Sequence, residues 1–116
     1  MIKIEHLTKS FDNKMVLNDI SLTIGAGEIF GLIGKNGAGK TTLLSIVAGL
    51  SDATSGACII NGRHISKKER SSNIGYLPDV PAFFDFMTVG EFLDFLYKKE
   101  NGYKTKKEAL LKLVGL

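Results

Sequence analysis

At 116 residues the chain has room for at most one domain, with roughly two-thirds of its unfolded surface available for burial. A net charge of +3 is too small to argue for nucleic acid as a partner, and 44% hydrophobic with 23% charged residues is ordinary for a water-facing globular chain. The single cysteine, Cys58, excludes an internal disulfide framework or a thiolate metal cluster, and no apolar run approaches the ~20 residues that span a bilayer, so direct membrane insertion is not expected.

The N-terminus, Met1-Ile2-Lys3-Ile4-Glu5, lacks the apolar core of a signal peptide, which predicts a cytoplasmic chain. Ile2 and Ile4 alternate with Lys3 and Glu5 as in a half-exposed strand. Ser10-Phe11-Asp12-Asn13-Lys14 is turn-rich, and places Phe11 in a turn. Ile20, Leu22 and Ile24 then alternate with Ser21 and Thr23, and Gly25-Ala26-Gly27 closes that strand. The opening third therefore predicts an antiparallel sheet. Ile29-Phe30-Gly31-Leu32-Ile33 is a short apolar run suited to a strand buried on both faces.

The most informative stretch follows directly. Gly34-Lys35-Asn36-Gly37-Ala38-Gly39-Lys40-Thr41 fits G-x-x-x-x-G-K-[ST] at every fixed position. Glycines let the backbone curl so that successive N–H groups point at phosphate oxygens. Lys40 can reach the β- and γ-phosphates, the Thr41 hydroxyl can sit on Mg²⁺, and Thr42 continues the helix whose positive end faces the anion. Leu43, Leu44, Val47 and Leu50 recur at helical spacing, with Gly49 as the helix end. The required strand–loop–helix context is thus present. A dinucleotide fingerprint is excluded, because Thr42 stands where a third glycine is needed.

Ser51 to Gly56 reads as a loop, Ala57-Cys58-Ile59-Ile60 as a strand and Asn61-Gly62 as a turn. Ser66 to Ser72 is polar and helix-compatible, and Ile74-Gly75-Tyr76-Leu77 predicts another buried strand stopped by Pro78. Thr88-Val89-Gly90-Glu91 and Thr105-Lys106-Lys107-Glu108 both fit the capping box. Phe92, Leu93, Phe95 and Leu96 give the first of these helices an apolar face, and Leu110, Leu111, Leu113 and Val114 do so for the second. Lys98, Lys99, Lys104, Lys106 and Lys107 are interrupted by Glu100 and Glu108, the pattern of a solvated helix face. His6 and His64 have no second ligand at metal spacing.

In this order the pieces resemble the ATP-binding subunits of ABC transporters, over essentially the whole chain but only the N-terminal half of such a domain. The resemblance implies an α/β fold of the P-loop NTPase type. It has a RecA-like parallel core, an N-terminal antiparallel β-subdomain and the start of a helical subdomain, dividing at residues 1–77 and 78–116. Phe11, in Leu7-Thr8-Lys9-Ser10-Phe11, stands where the family places an aromatic that stacks on adenine; without that context a small-core residue is the lesser alternative. Val16 is implied near the adenine or ribose, and Gly34, Lys35, Asn36, Gly37, Ala38, Gly39, Lys40, Thr41 and Thr42 around the phosphates. Thr54-Ser55-Gly56 and Ile59-Ile60-Asn61-Gly62 resemble the family's loop, strand and turn after the phosphate-loop helix, with Ala53 replacing the usual proline.

Ile74-Gly75-Tyr76-Leu77-Pro78 resembles the strand leading into a loop that carries glutamine in most members; here the position is Asp79. An acidic residue there resembles bacterial export-type members. Its carboxylate is an acceptable hard oxygen ligand for Mg²⁺, and reads equally as a turn cap beside Pro78 and Pro81. Val80 to Phe95 resembles the start of the helical subdomain that meets a membrane-embedded permease subunit. Of the seven phenylalanines and three tyrosines, Phe83, Phe84, Phe86, Phe92 and Phe95 fall in this region and Tyr97 just after it, mostly as expected core with one or two of the first three exposed for docking.

The resemblance implies ATP and Mg²⁺ as ligands, a second ATP-binding subunit in a dimer, and a place at the inner face of the membrane held through the permease. The family's second Mg²⁺-binding strand, its Leu-Ser-Gly-Gly segment and its later histidine have no counterpart between Met1 and Leu116; Phe92-Leu93-Asp94 falls on a predicted helix instead. These 116 residues are therefore expected to bind ATP without turning it over and to be marginally folded alone, as a piece of a larger ATPase; a non-hydrolysing regulatory module is the alternative. A GTPase reading lacks an Asn-Lys-x-Asp base reader, and a kinase reading lacks an arginine-rich lid, since Arg63 and Arg70 are the only arginines.

Overall fold

The computed structural model describes residues 1–64, 68–69, 74–81, 83–97 and 103–116, with the helical Tyr97 and residues 103–105 described by backbone alone. The polar stretch from Ser66 to Ser72 lies outside the described residues except for Lys68 and Glu69. The chain forms two compact units, Met1–Tyr76 and Leu77–Leu116.

The first unit is built on a hairpin of β1 (Ile2–Phe11) and β2 (Lys14–Ile24). Its turn residues, Asp12 and Asn13, have φ of 42° and 66°, the left-handed pair whose twist matches that of antiparallel strands. Phe11 is therefore not in the turn: it ends β1, opposite Lys14 in the ladder. β3 (Ser55–Ile60) pairs antiparallel with the other edge of β1, and β4 (Arg63–His64) pairs with β3, giving the order β2-β1-β3-β4. Asn61 and Gly62, at φ 51° and 77°, make the β3–β4 turn as their dipeptide predicts. Asn61 also ties down the chain start, accepting from the Met1 ammonium at 3.0 Å and donating its own N–H to Met1 C=O at 2.9 Å.

Strict alternation would place Ile4 and Leu7 on opposite faces of β1. Both are buried in one core, because the register shifts between them and His6 adopts φ 48°. Gly56 faces this irregularity from β3. A Cβ there would lie 2.7 Å from Glu5 C=O and closer still to the His6 carbonyl, and φ is +90°, so only glycine lets β3 approach. His6 Nδ1 meets Asp19 Oδ1 at 2.7 Å across the hairpin, both side chains largely exposed.

α1 (Lys40–Val47) contributes Leu43 and Ile46 to a core with Ile4, Leu7 and Leu17. Its buried residues facing the sheet are Leu43 and Ile46, with Val47 half-buried beside them, whereas Leu44 and Leu50, predicted on the same face, are about half exposed. Gly49, at φ 76°, closes the helix: its N–H bonds Ile46 C=O at 3.0 Å and Leu50 N–H bonds Ser45 C=O at 2.8 Å.

Two predicted strands differ. Ile29–Ile33 and Ile74–Leu77 have no ladder among the described residues. Ile29, Ile33 and Leu77 are 100%, 96% and 83% exposed. A strand apolar on both faces gains its burial from parallel neighbours and from layers above and below, and the described sheet is antiparallel and formed by other strands.

The second unit contains α2 (Val89–Tyr97) and α3 (Tyr103–Leu113). The capping box of α2 forms as predicted: Thr88 N–H and Oγ1 each donate to Glu91 Oε2 at 2.8 Å, and Glu91 N–H returns to Thr88 Oγ1 at 3.3 Å. The Thr88 backbone bond first, then its hydroxyl, hold the Glu91 carboxyl below its ordinary value. A lowered folded-state value means this cap acts above the unfolded carboxylate range and is lost as pH falls through the folded one. The second predicted box does not cap a helix, because α3 already begins at Tyr103 and Thr105 lies inside it. Asp94 sits on α2 and pairs with Lys107 of α3 at 2.7 Å.

The aromatics of this unit pair with one another, Phe83 edge-on to Phe92 at 5.3 Å and Phe84 to Phe95 at 5.7 Å. Exposure of Phe83 and Phe86, at 66% and 79%, is within the expectation that one or two of the first three lie open, whereas Phe84 and Phe95 are exposed as well, at 44% and 60%, so the rest do not form the expected core. Phe83, Phe84, Met87, Val89 and Phe92 line an apolar hollow of about 300 Å³.

Candidate nucleotide phosphate site

The loop from Gly34 to Gly39 takes its shape from three local facts. Ala38 N–H closes a turn on Lys35 C=O at 3.2 Å, and Gly37 and Gly39 adopt φ of 80° and 91°. Gly39 then serves as the N-cap of α1 with no side chain of its own, and the first helical bond runs from Leu43 N–H to Gly39 C=O at 2.9 Å. The amides of Lys40, Thr41 and Thr42 therefore precede the helical ladder and point out of its end. No acidic residue occupies the first turn of α1 to offset its positive end.

Lys40 completes the arrangement. Its ammonium folds back into the loop and donates to Gly34 C=O at 2.6 Å and Lys35 C=O at 2.8 Å. A cation and a helix N-terminus thus converge on one small backbone ring. Lys35, Asn36, Gly37, Ala38 and Thr41 are exposed, Thr42 is half-buried and Gly39 is buried. Such a site can bind an anion with several oxygens.

Gly34 and Gly37 have room for a Cβ, with nothing nearer than 3.5 Å at Gly34 and nothing within 4 Å at Gly37. Gly39 does not. A Cβ there would lie 2.8 Å from Leu17 Cδ2 and 2.9 Å from Val16 C=O. The last glycine of the loop is thus packed onto β2, which brings Val16 directly against the phosphate loop.

Phe11 is 48% exposed at the end of β1. The Lys9 ammonium lies 4.6 Å from its ring centroid and donates to Asp52 C=O at 2.7 Å. Sequence reasoning passed over Lys9, although its spacing of two from an aromatic on one strand was a usable signal. Asp79 lies in the second unit, exposed in a bend after Pro78.

A fit for Mg²⁺ can be judged from the donors. Among the described residues no group of three or more His, Cys, Asp or Glu could hold a metal. Mg²⁺ needs none when phosphates supply oxygens, and the exposed Thr41 hydroxyl at the first turn of α1 is a suitable hard ligand.

The glycine-lined loop and its lysine lie within a stretch, residues 17–116, that matches the ABC transporter family model. The chain belongs to the ABC transporter family. It is 42% identical over 97 residues to the ABC transporter ATP-binding protein YtrB of Bacillus subtilis (strain 168), covering 83% of this chain and 33% of that protein. Among solved structures, an ATP binding subunit of an ABC transporter superposes with a TM-score of 0.79 at 25% identity, over 97% of this chain and 49% of the other. The dimeric post-hydrolysis state of the ATP-binding cassette MJ0796, bound to ADP and Pi, shares the fold with a TM-score of 0.78 at 22% identity, over 97% of this chain and 55% of that one.

The ABC transporter chain described here thus has the P-loop NTPase fold of these ATPase domains, of which its antiparallel sheet, phosphate loop and helices form part. It spans about a third of the length of curated relatives such as YtrB. No described helix is long and apolar enough to cross a membrane.

Proposed function

We propose that this chain is the nucleotide-binding portion of an ATP-binding subunit that couples ATP binding and hydrolysis to transport across a membrane. The observation that carries the proposal is the Lys40 ammonium held inside a glycine-capped helix N-terminus. On binding, Lys40 exchanges the carbonyls of Gly34 and Lys35 for β- and γ-phosphate oxygens, and the amides from Gly37 to Thr42 surround the phosphates. Thr41 would hold Mg²⁺, which would offset phosphate charge when bound. The test is titration of the full-length protein with Mg²⁺-ATP and with adenosine. ATP is expected to bind far more tightly, and equal affinities would sink the proposal.

Phe11, at the exposed end of β1, is the platform for the base, and Val16, which packs against Gly39 of the phosphate loop, is proposed to lie near the adenine or ribose. Phe11→Ala is expected to weaken ATP by about 1–3 kcal/mol, the range of base–aromatic stacking, and to weaken GTP similarly because a ring face reads little base identity. A nucleotide-bound structure with the base away from Phe11 would contradict this.

In the complete protein Asp79 would serve as an oxygen ligand toward Mg²⁺ or the attacking water at the turnover step, and would couple the nucleotide to a permease through the helix after Pro81. Asp79→Ala is then expected to lower turnover several-fold while leaving ATP affinity nearly unchanged, and Asp79→Gln to retain more activity through its oxygen ligand. Steady-state ATPase rates of both variants with the permease present decide it; a wild-type rate for Asp79→Ala reduces the carboxylate to a turn cap. The whole protein is proposed to pair with a second ATP-binding subunit and to sit at the cytoplasmic face of an export-type permease.

A further inference from the structure

The end of β1 that carries Phe11 is stitched to the loop after α1. Thr54 N–H donates to Thr8 C=O at 2.8 Å, Ser10 N–H donates to Thr54 Oγ1 at 3.0 Å, and the Lys9 ammonium donates to Asp52 C=O at 2.7 Å. The same ammonium stands 4.6 Å from the Phe11 centroid. Lys9 is therefore pinned at its tip by a backbone carbonyl while it covers one face of a ring that is otherwise 48% exposed. An exposed phenylalanine at a strand end has several rotamers open to it, and ordering it on binding costs entropy. A cation fixed over one face removes part of that freedom in advance.

We propose that Lys9 is a positioning residue for the nucleotide base: it holds the Phe11 ring so that the base stacks on the face away from the ammonium. This rests on the reading of Phe11 as the base platform. Lys9 touches neither phosphate nor base in this arrangement and acts through Phe11 alone. Because Asp52 follows α1 and the phosphate loop precedes it, the tether also sets the ring relative to the helix that holds the phosphates.

The test compares affinities of the full-length protein for ATP and for inorganic tripolyphosphate, which has the phosphates without the base. Lys9→Met is expected to weaken ATP about two- to five-fold, the size of an exposed cation–π contact, and to leave tripolyphosphate unchanged. Lys9→Gln, which keeps an N–H donor but no charge, is expected to follow Lys9→Met, whereas Lys9→Arg keeps wild-type affinity. In a Phe11→Ala background Lys9→Met is expected to have no further effect. An equal loss for tripolyphosphate, a loss that persists without the ring, or unchanged ATP binding in Lys9→Met each overturns the proposal. The two readings separate cleanly. If Phe11→Ala weakens ATP and Lys9→Met does not, Lys9 alone is dismissed; if Phe11→Ala changes nothing, the platform falls and Lys9 with it.

Discussion

Lys40→Ala is expected to weaken Mg²⁺-ATP binding by about 2–3 kcal/mol, roughly 30- to 160-fold in Kd, the size of a lost charge-assisted contact. The side chain is the cation placed inside the phosphate loop, and its present acceptors, Gly34 C=O and Lys35 C=O, belong to exposed residues. Removing it leaves those carbonyls to water, so stability is expected to change little while affinity collapses. Lys40→Arg is not expected to rescue it, because a planar fork is larger than the point charge that the Gly34 and Lys35 carbonyls hold. Calorimetric titration, with a thermal melt of the same samples, checks both halves. A large loss of stability with unchanged affinity would make Lys40 a structural tie rather than a phosphate ligand.

Gly39→Ala is expected to destabilise the first unit by about 2–5 kcal/mol and to weaken ATP as well. Two effects add here. A left-handed backbone costs a non-glycine residue about 1–2 kcal/mol, and Gly39 sits at φ +91°. The new methyl would also overlap Leu17 Cδ2 at 2.8 Å and the Val16 carbonyl at 2.9 Å, and such overpacking costs about 1–3 kcal/mol. A backbone carbonyl in the sheet cannot step aside, so the loop or β2 must move. Gly37→Ala isolates the first effect, since φ is +80° there but nothing lies within 4 Å. Urea unfolding of the two variants separates backbone strain from packing; equal destabilisation would mean that the contact with β2 carries no weight.

The same contrast marks what could be read from residue order. The phosphate loop was legible because its chemistry is local. Its glycines, Lys40 and Thr41 are set by spacing within one turn and one helix start, and Lys40 reaches carbonyls only five and six residues away. The Thr88–Glu91 capping box and the Asn61-Gly62 turn were legible for the same reason, each being closed by neighbours in the chain.

Tertiary structure decided everything that needed a distant partner. Periodicity put Ile4 on a strand face, but the register shift at His6, answered by Gly56 on β3, is what turns Leu7 into the same core. Periodicity likewise put Leu43, Leu44, Val47 and Leu50 on one helix face, yet Leu44 and Leu50 look outward because the sheet covers only the stripe of Leu43 and Ile46. It made Ile29–Ile33 an apolar strand, but a ladder needs a neighbour, and none of the described strands lies beside it. Gly39 against β2 and Lys9 over Phe11 complete the list. A residue pattern specifies which surface a segment offers for burial; which surface is actually covered depends on segments tens of residues away, and only their packing settles it.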